Sequence, residues 1–204
     1  TGLLRQIVPE FSHMSQLEPS DDGTDSDWAP ALRTLANPCC NSFESGLALL
    51  LHPLLSTYDP GKLADDVCNR WRLSNHEMGR VRWLLKNERT IRQAVDIPWP
   101  SLQRLLVSKG SDELQAVAQA VAEGHGETTS GTELARRKLR LPKEQLDPDP
   151  ILNGCDLIEL GIPRGKHYQR LLTSIRDAQL EGQVRTMAQA TDLARKLWTD
   201  MKST

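Results

Sequence analysis

Residues 151–184 read ILNGCDLIELGIPRGKHYQRLLTSIRDAQLEGQV, and this stretch decides the fold. Asn153 suits an N-cap, because its side-chain oxygen can accept from the exposed amides of a first helical turn. A short helix is expected from there through Leu160. Gly161 is placed as the residue after the cap, where a left-handed backbone is needed, and Pro163 bars continuation. Arg164-Gly165-Lys166 opens a longer helix through about Glu181, with Leu171, Leu172, Ile175 and Ala178 turned inward and Gly182 as its stop. The stretch is therefore helix, glycine-bounded turn, helix.

The same grammar extends in both directions. Downstream, Thr186 caps a last helix bearing Ala190, Leu193, Ala194 and Leu197, with Trp198 near its end. Upstream, Asp147-Pro148-Asp149-Pro150 is a break, because the residue before each proline is pushed to extended geometry. A basic helix is expected from Thr132 to about Leu141, stopped by Pro142, and residues 124–131 (GHGETTSG) form a turn-rich linker. Ser111 should cap a helix over Asp112–Glu123, with Leu114, Val117, Ala118 and Val121 as its apolar stripe. Pro98 to Leu106 reads as a short helix with proline near its start.

Further upstream, Ser74 and Glu77 make a capping box. The helix they open carries Met78, Val81, Leu84 and Leu85 on one face. Gly61 to Trp71 places Leu63, Val67 and Trp71 four residues apart. Glu44 to Leu55 is apolar nearly all round, as a buried helix would be, with Ser42 as N-cap and Pro53 as its kink or end. No segment alternates as a strand does, and only 4% of the residues are aromatic, which also disfavours sheet. The expected fold is all-α: a multi-helix array of short helical hairpins with no sheet.

Composition narrows the function. The 204 residues are 38% hydrophobic and 25% charged, with 25 Lys+Arg against 27 Asp+Glu. That length supports a genuine core without a metal or disulfide staple. The longest apolar runs fall far short of the ~20 residues of a membrane helix, and no basic stretch followed by an apolar one suggests a signal peptide. The low-hydrophobicity, high-net-charge pattern of disorder is missing. Cys39, Cys40, Cys68 and Cys155 form no C-x-x-C pair and read as reduced, mostly buried thiols, which points to a cytoplasmic location.

Charge is uneven. Residues 1–30 carry one basic and six acidic side chains, whereas residues 131–204 carry 13 basic and 10 acidic. The sharpest excess is at residues 70–92, where seven cations (Arg70, Arg72, Arg80, Arg82, Lys86, Arg89, Arg92) face only Glu77 and Glu88. Such stretches can bind polyanions although the whole chain is near neutral, or simply form solvated helix faces.

The chemistry of a self-contained enzyme is missing from the sequence. No P-loop, post-strand G-x-G-x-x-G, G-x-S-x-G or H-E-x-x-H occurs. His52, on an apolar helix and followed by Pro53, reads as a core histidine, and His125, between two glycines, as a loop residue. The turn at residues 161–167 is more promising. Its arrangement leaves the amides of Arg164, Gly165, Lys166 and His167 at the start of a helix, where unpaired donors and the helix dipole favour phosphate. Arg164, Lys166 and Arg170 add cationic side chains there, and Arg136, Arg137 and Arg140 make a second basic patch. A plain helical hairpin with a solvated basic cap is the competing reading.

The run Leu152–Gly161, with Gly165, Leu171, Leu172, Ile175, Ala178 and Gln179-Leu180-Glu181-Gly182, resembles the tail of the tRNA nucleotidyltransferase/poly(A) polymerase family. Two further segments resemble the same family in its bacterial form. Arg72-Leu73-Ser74-Asn75, Glu77, Val81 and Trp83-Leu84 are similar to its helical body. Thr1-Gly2-Leu3-Leu4 with Ile7-Val8-Pro9-Glu10 is similar to the segment joining neck and body. The resemblance implies a helical neck and body at residues 1–124, a linker with a basic helix at 125–150, and an RNA-contacting tail at 151–204. It further implies a tRNA-like partner gripped through Arg164, Gly165, Lys166, His167, Arg170, Arg136, Arg137 and Arg140.

Two departures from the family matter. The Gly-Ser motif and D-x-D carboxylates of its catalytic head do not occur; Asp147-Pro148-Asp149 has the letters but sits in a proline-rich loop. Magnesium and a nucleoside triphosphate are thus expected only for a head domain outside this chain, which itself calls for no cofactor and no membrane. An opening Thr1 in place of Met accords with a piece of a longer protein. Many relatives also carry a His-Asp metal module. Here Leu50-Leu51-His52-Pro53 stands at that place, with proline where aspartate is expected, so the module should be a vestigial scaffold.

Two other readings stay open. One is a residual metal-dependent phosphohydrolase using His52, Asp65 and Asp66. The other is a helical protein-interaction module without nucleic-acid binding, which gains if Arg164, Lys166 and Arg170 are all neutralised by Asp156, Glu159 or Asp177.

Overall fold

A computed structural model describes residues 2–13, 28–36 and 42–202. Thr1, Cys39, Cys40 and the helix start read at Pro38 lie outside the described residues. Among those described there are twelve α-helices, two 3₁₀ segments and no strand, as the sequence pattern requires. None of these helices is long and apolar enough to cross a membrane.

Packing divides the chain into two compact units, residues 1–97 with 108–140 and residues 98–107 with 141–204. The first holds α1 (Gly2–Ile7), α2 (Trp28–Leu35), α3 (Phe43–Leu51), α4 (Pro60–Arg70), α5 (Asn75–Arg92), α7 (Ser111–His125) and α8 (Ser130–Leu139). The second holds α6 (Trp99–Leu106), α9 (Lys143–Leu146), α10 (Gly154–Glu159), α11 (His167–Leu180) and α12 (Met187–Lys202). The basic helix α8 folds with the first unit because Thr132 and Ala135 are fully buried there, and Thr132 donates its hydroxyl to Gln119 of α7.

In the first unit α5 packs against α3, α4, α7 and α8, and α7 also meets α2 and α3. Leu49, Leu51, Leu63, Val67, Leu84, Leu114 and Val121 fill the core between them. The capping boxes act as expected: Ser74 Oγ accepts from the Glu77 amide at 3.2 Å and Glu77 accepts from the Ser74 amide at 2.7 Å. At α3 the reciprocal partner of Ser42 is Ser45. Pro53 ends α3, and the chain continues as a 3₁₀ turn, His52–Ser56.

One cap differs from expectation. Ser111 is the first residue of α7 and does not cap it; the cap is Gly110, left-handed at φ 84°. The cause is remote: the Arg80 guanidinium donates to the Lys109 and Gly110 carbonyls at 2.9 and 2.7 Å. It packs so closely that a Cβ at Gly110 would lie 1.8 Å from it.

The second unit is built on two Schellman turns. At the end of α10, Ile162 N–H donates to Leu157 at 3.1 Å and Gly161 N–H to Ile158 at 2.9 Å. At the end of α11, Gln183 donates to Ala178 at 2.9 Å and Gly182 to Gln179 at 3.0 Å. Gly161 and Gly182 sit at φ 74° and 75°. Leu152, Leu157, Ile162, Leu171, Ile175, Val184, Ala190 and Ala194 form one apolar core. Gln103 of α6 joins this unit by donating to the Leu146 carbonyl and Asp147, both at 3.0 Å.

Candidate nucleic-acid interface

The turn between α10 and α11 is held from within. Buried Ile162 anchors it to the core, and Tyr168 donates its hydroxyl to the Ile162 carbonyl at 2.6 Å. His167 Nε2–H donates to the Pro163 carbonyl at 2.7 Å. The same ring stacks on Trp198 of α12 with centroids 4.4 Å apart. Gly165 lies beneath it: a Cβ there would come within 2.7 Å of the His167 ring. Gly165 is therefore required by His167, and His167, expected to contact RNA, has its ring engaged in shaping the turn.

Arg164, Gly165, Lys166 and Arg170 are all exposed. None of the three cations has a carboxylate partner, and the amides of residues 164–167 find no acceptor among the described residues. The acidic residues that could have cancelled this charge are engaged elsewhere or apart: Asp156 caps α10 by accepting from the Asn153 amide at 2.7 Å. Asp177 pairs with Arg104, and Glu159 makes no ion pair among the described residues. A groove of about 540 Å³ runs past Lys166, Arg170, Ser174, Leu197 and Asp200. A shallower one of about 400 Å³ passes Arg164, Gly165, Asn153, Cys155 and Ile158. Of the two described cysteines, Cys155 is exposed and Cys68 is buried, and burial pushes the Cys68 thiol pKa up.

Arg136, Arg137 and Arg140 are exposed on the last turn and cap of α8, where the helix dipole tolerates cations well. They belong to the first unit and the turn cations to the second.

The run at residues 70–92, the most basic in the sequence, is largely neutralised, mostly by carboxylates outside the run. Arg70 makes a two-pronged bond to Glu10 at 2.6 and 3.0 Å, which holds the Glu10 pKa below the usual carboxylate range. Arg80 pairs with Glu113, Arg82 with Asp65, and Arg92 with Glu88 and Glu127. The suggested metal trio is not assembled: Asp65 is held by Arg82, and no group of three or more His, Cys, Asp or Glu among the described residues could hold a metal ion.

What the sequence did not reveal is a polar cleft of about 790 Å³ in the first unit. His52, expected in the core, lies on its wall with Nε2 3.3 Å from Glu88. Glu88 is 2% exposed and accepts from Arg92 Nε at 2.8 Å and Nη2 at 3.3 Å. Burial pushes the Glu88 carboxyl pKa up, but the bonds from His52 and Arg92 outweigh this and leave it below its ordinary value. His125, expected in a loop, ends α7 edge-on to His52 with ring centroids 5.4 Å apart. Burial, then the neighbouring His52, lowers its pKa. A signal for this cleft was present: Glu88 falls on the apolar face of α5 with Val81, Leu84 and Leu85 and four residues before Arg92, so a buried carboxylate with a local cation was readable.

No family model, no curated protein and no solved structure matches this chain.

Proposed function

We propose that this chain is the RNA-holding helical region of a protein related to the tRNA nucleotidyltransferase/poly(A) polymerase family. On this reading the α10–α11 turn grips the backbone of a tRNA-like RNA, and nucleotide addition to the 3′ end belongs to a head domain outside the chain. The observation that carries the reading is that Arg164, Lys166 and Arg170 are exposed and, among the described residues, have no carboxylate partner, around four backbone amides that likewise find no acceptor there. Amides and cations at a helix start suit phosphate oxygens. They do not discriminate bases, so recognition rests on backbone and shape.

Fluorescence anisotropy of a labelled tRNA with the whole chain tests this. Binding at low salt that is lost in Arg164→Glu/Lys166→Glu supports it. No binding, or the same affinity in the charge-reversed variant, refutes it and leaves a helical protein-interaction module as the better account.

A further inference from the structure

The cleft of the first unit has no part in the RNA reading, and its chemistry is of another kind. Its volume of about 790 Å³ lies within the range of small-ligand sites, about 300–1,000 Å³. Glu88, Arg92 and Glu127 form a closed ionic set on one side. Two charges of the same sign are left over on α5, Lys86 and Arg89, both exposed and neither in an ion pair among the described residues. Lys86 is laid across α4, where a Cβ on Gly61 would meet its Cε at 2.8 Å and Nζ at 2.9 Å, with Asp59 Oδ1 at 3.2 Å from the same point. Asp96 is the one lining carboxylate outside the closed set.

The rest of the lining is different in character. Pro53, Leu55, Pro60 and Val95 give an apolar side, and Val95 is 59% exposed. On the His52 ring, Nδ1 is buried without any hydrogen-bond partner.

We propose that this cleft binds a small phosphate monoester with an apolar body. The phosphate would lie against Lys86 and Arg89, where each contact is a charge-assisted hydrogen bond. The body would cover Pro53, Leu55 and Val95, next to the histidine pair. The Glu88–Arg92–Glu127 set fixes the wall, both carboxylates accepting from Arg92. This site uses no residue of the α10–α11 turn and stands whether or not that turn holds RNA.

Phenyl phosphate titrated into the whole chain, followed by NMR of the histidine rings, tests it. Inorganic phosphate serves as the body-free arm. Saturable shifts of the His52 and His125 signals are expected, with inorganic phosphate binding several-fold more weakly. Lys86→Ala/Arg89→Ala, two exposed positions that leave the core intact, should weaken phenyl phosphate by about 10-fold or more. Arg164→Ala should leave its affinity unchanged. The proposal falls if no saturable shift occurs up to about 10 mM ligand. It also falls if the double variant binds as the parent does, or if inorganic phosphate binds as well as phenyl phosphate.

Discussion

The salt dependence that the proposed RNA contact would have can be worked out from the ion pairs. A cation already matched by a carboxylate displaces few counterions when RNA arrives, so only unmatched cations set the slope. On the α10–α11 turn these are Arg164, Lys166 and Arg170. At about 0.7–0.9 per phosphate contact, three contacts give a slope of about −2.1 to −2.7 for log affinity against log salt. Raising salt about fourfold should then cost about 20- to 40-fold in affinity. If Arg136, Arg137 and Arg140 of α8 engage the same RNA, six contacts raise the slope to about −4.2 to −5.4 and the loss to about 300- to 1,800-fold. The two cases are far apart and need only an anisotropy titration at several potassium chloride concentrations. Neutralising Arg164, Lys166 and Arg170 together to glutamine should remove about 2.1–2.7 from the slope in either case. A parent slope shallower than about −1, or a neutralised variant with the parent's slope, would show that these cations do not meet phosphate.

Other perturbations probe the two units separately. Glu88→Ala should destabilise the first unit by about 2–4 kcal/mol, read from urea denaturation. Breaking a buried pair costs about 3–5 kcal/mol, and Arg92 recovers part of that because it keeps Glu127. Acid should weaken this unit in two stages, since both depressed pKa values act in the same direction. His125 resists protonation in the fold, so stability falls as pH drops below about 6.5 through its lower folded value. Glu88 contributes above its unfolded value of about 4.3, and that contribution is lost as pH falls through its lower folded value. Denaturation across pH should show His125→Asn flattening the upper stage and Glu88→Gln the lower. Gly165→Ala should force the His167 ring off the Pro163 carbonyl and Trp198, with a changed Trp198 fluorescence and a loss of about 1–2 kcal/mol in the second unit.

Where the sequence was readable, the physics was local. A capping box links residues three apart, as at Ser74 and Glu77 or Asn153 and Asp156, and a Schellman turn closes within six, as at Gly161 and Gly182. These features need nothing from the rest of the chain, so the all-α fold and the open turn followed from short windows. Gly110 was missed as the cap of α7 because its conformation is held by Arg80, thirty residues earlier. The cleft was missed for the same kind of reason. Its wall joins His52 to Glu88 and Arg92 to Glu127, and a lone histidine in a window says nothing about a carboxylate on another helix.

Charge shows the same limit, and it changes where a polyanion would be sought. Counting along the chain marks residues 70–92 as the basic stretch, yet four of its seven cations reach Glu10, Asp65, Glu113, Glu88 and Glu127. The second unit has a milder excess, but three of its carboxylates answer to other groups. Asp147 takes Arg176 and Gln103, Asp156 takes the Asn153 amide, and Asp177 takes Arg104. Each of those engagements withdraws a potential partner from Arg164, Lys166 and Arg170. What leaves a cation available to a phosphate is the prior commitment of the acids around it, and that depends on tertiary pairing. The less basic segment is therefore the stronger candidate for holding RNA.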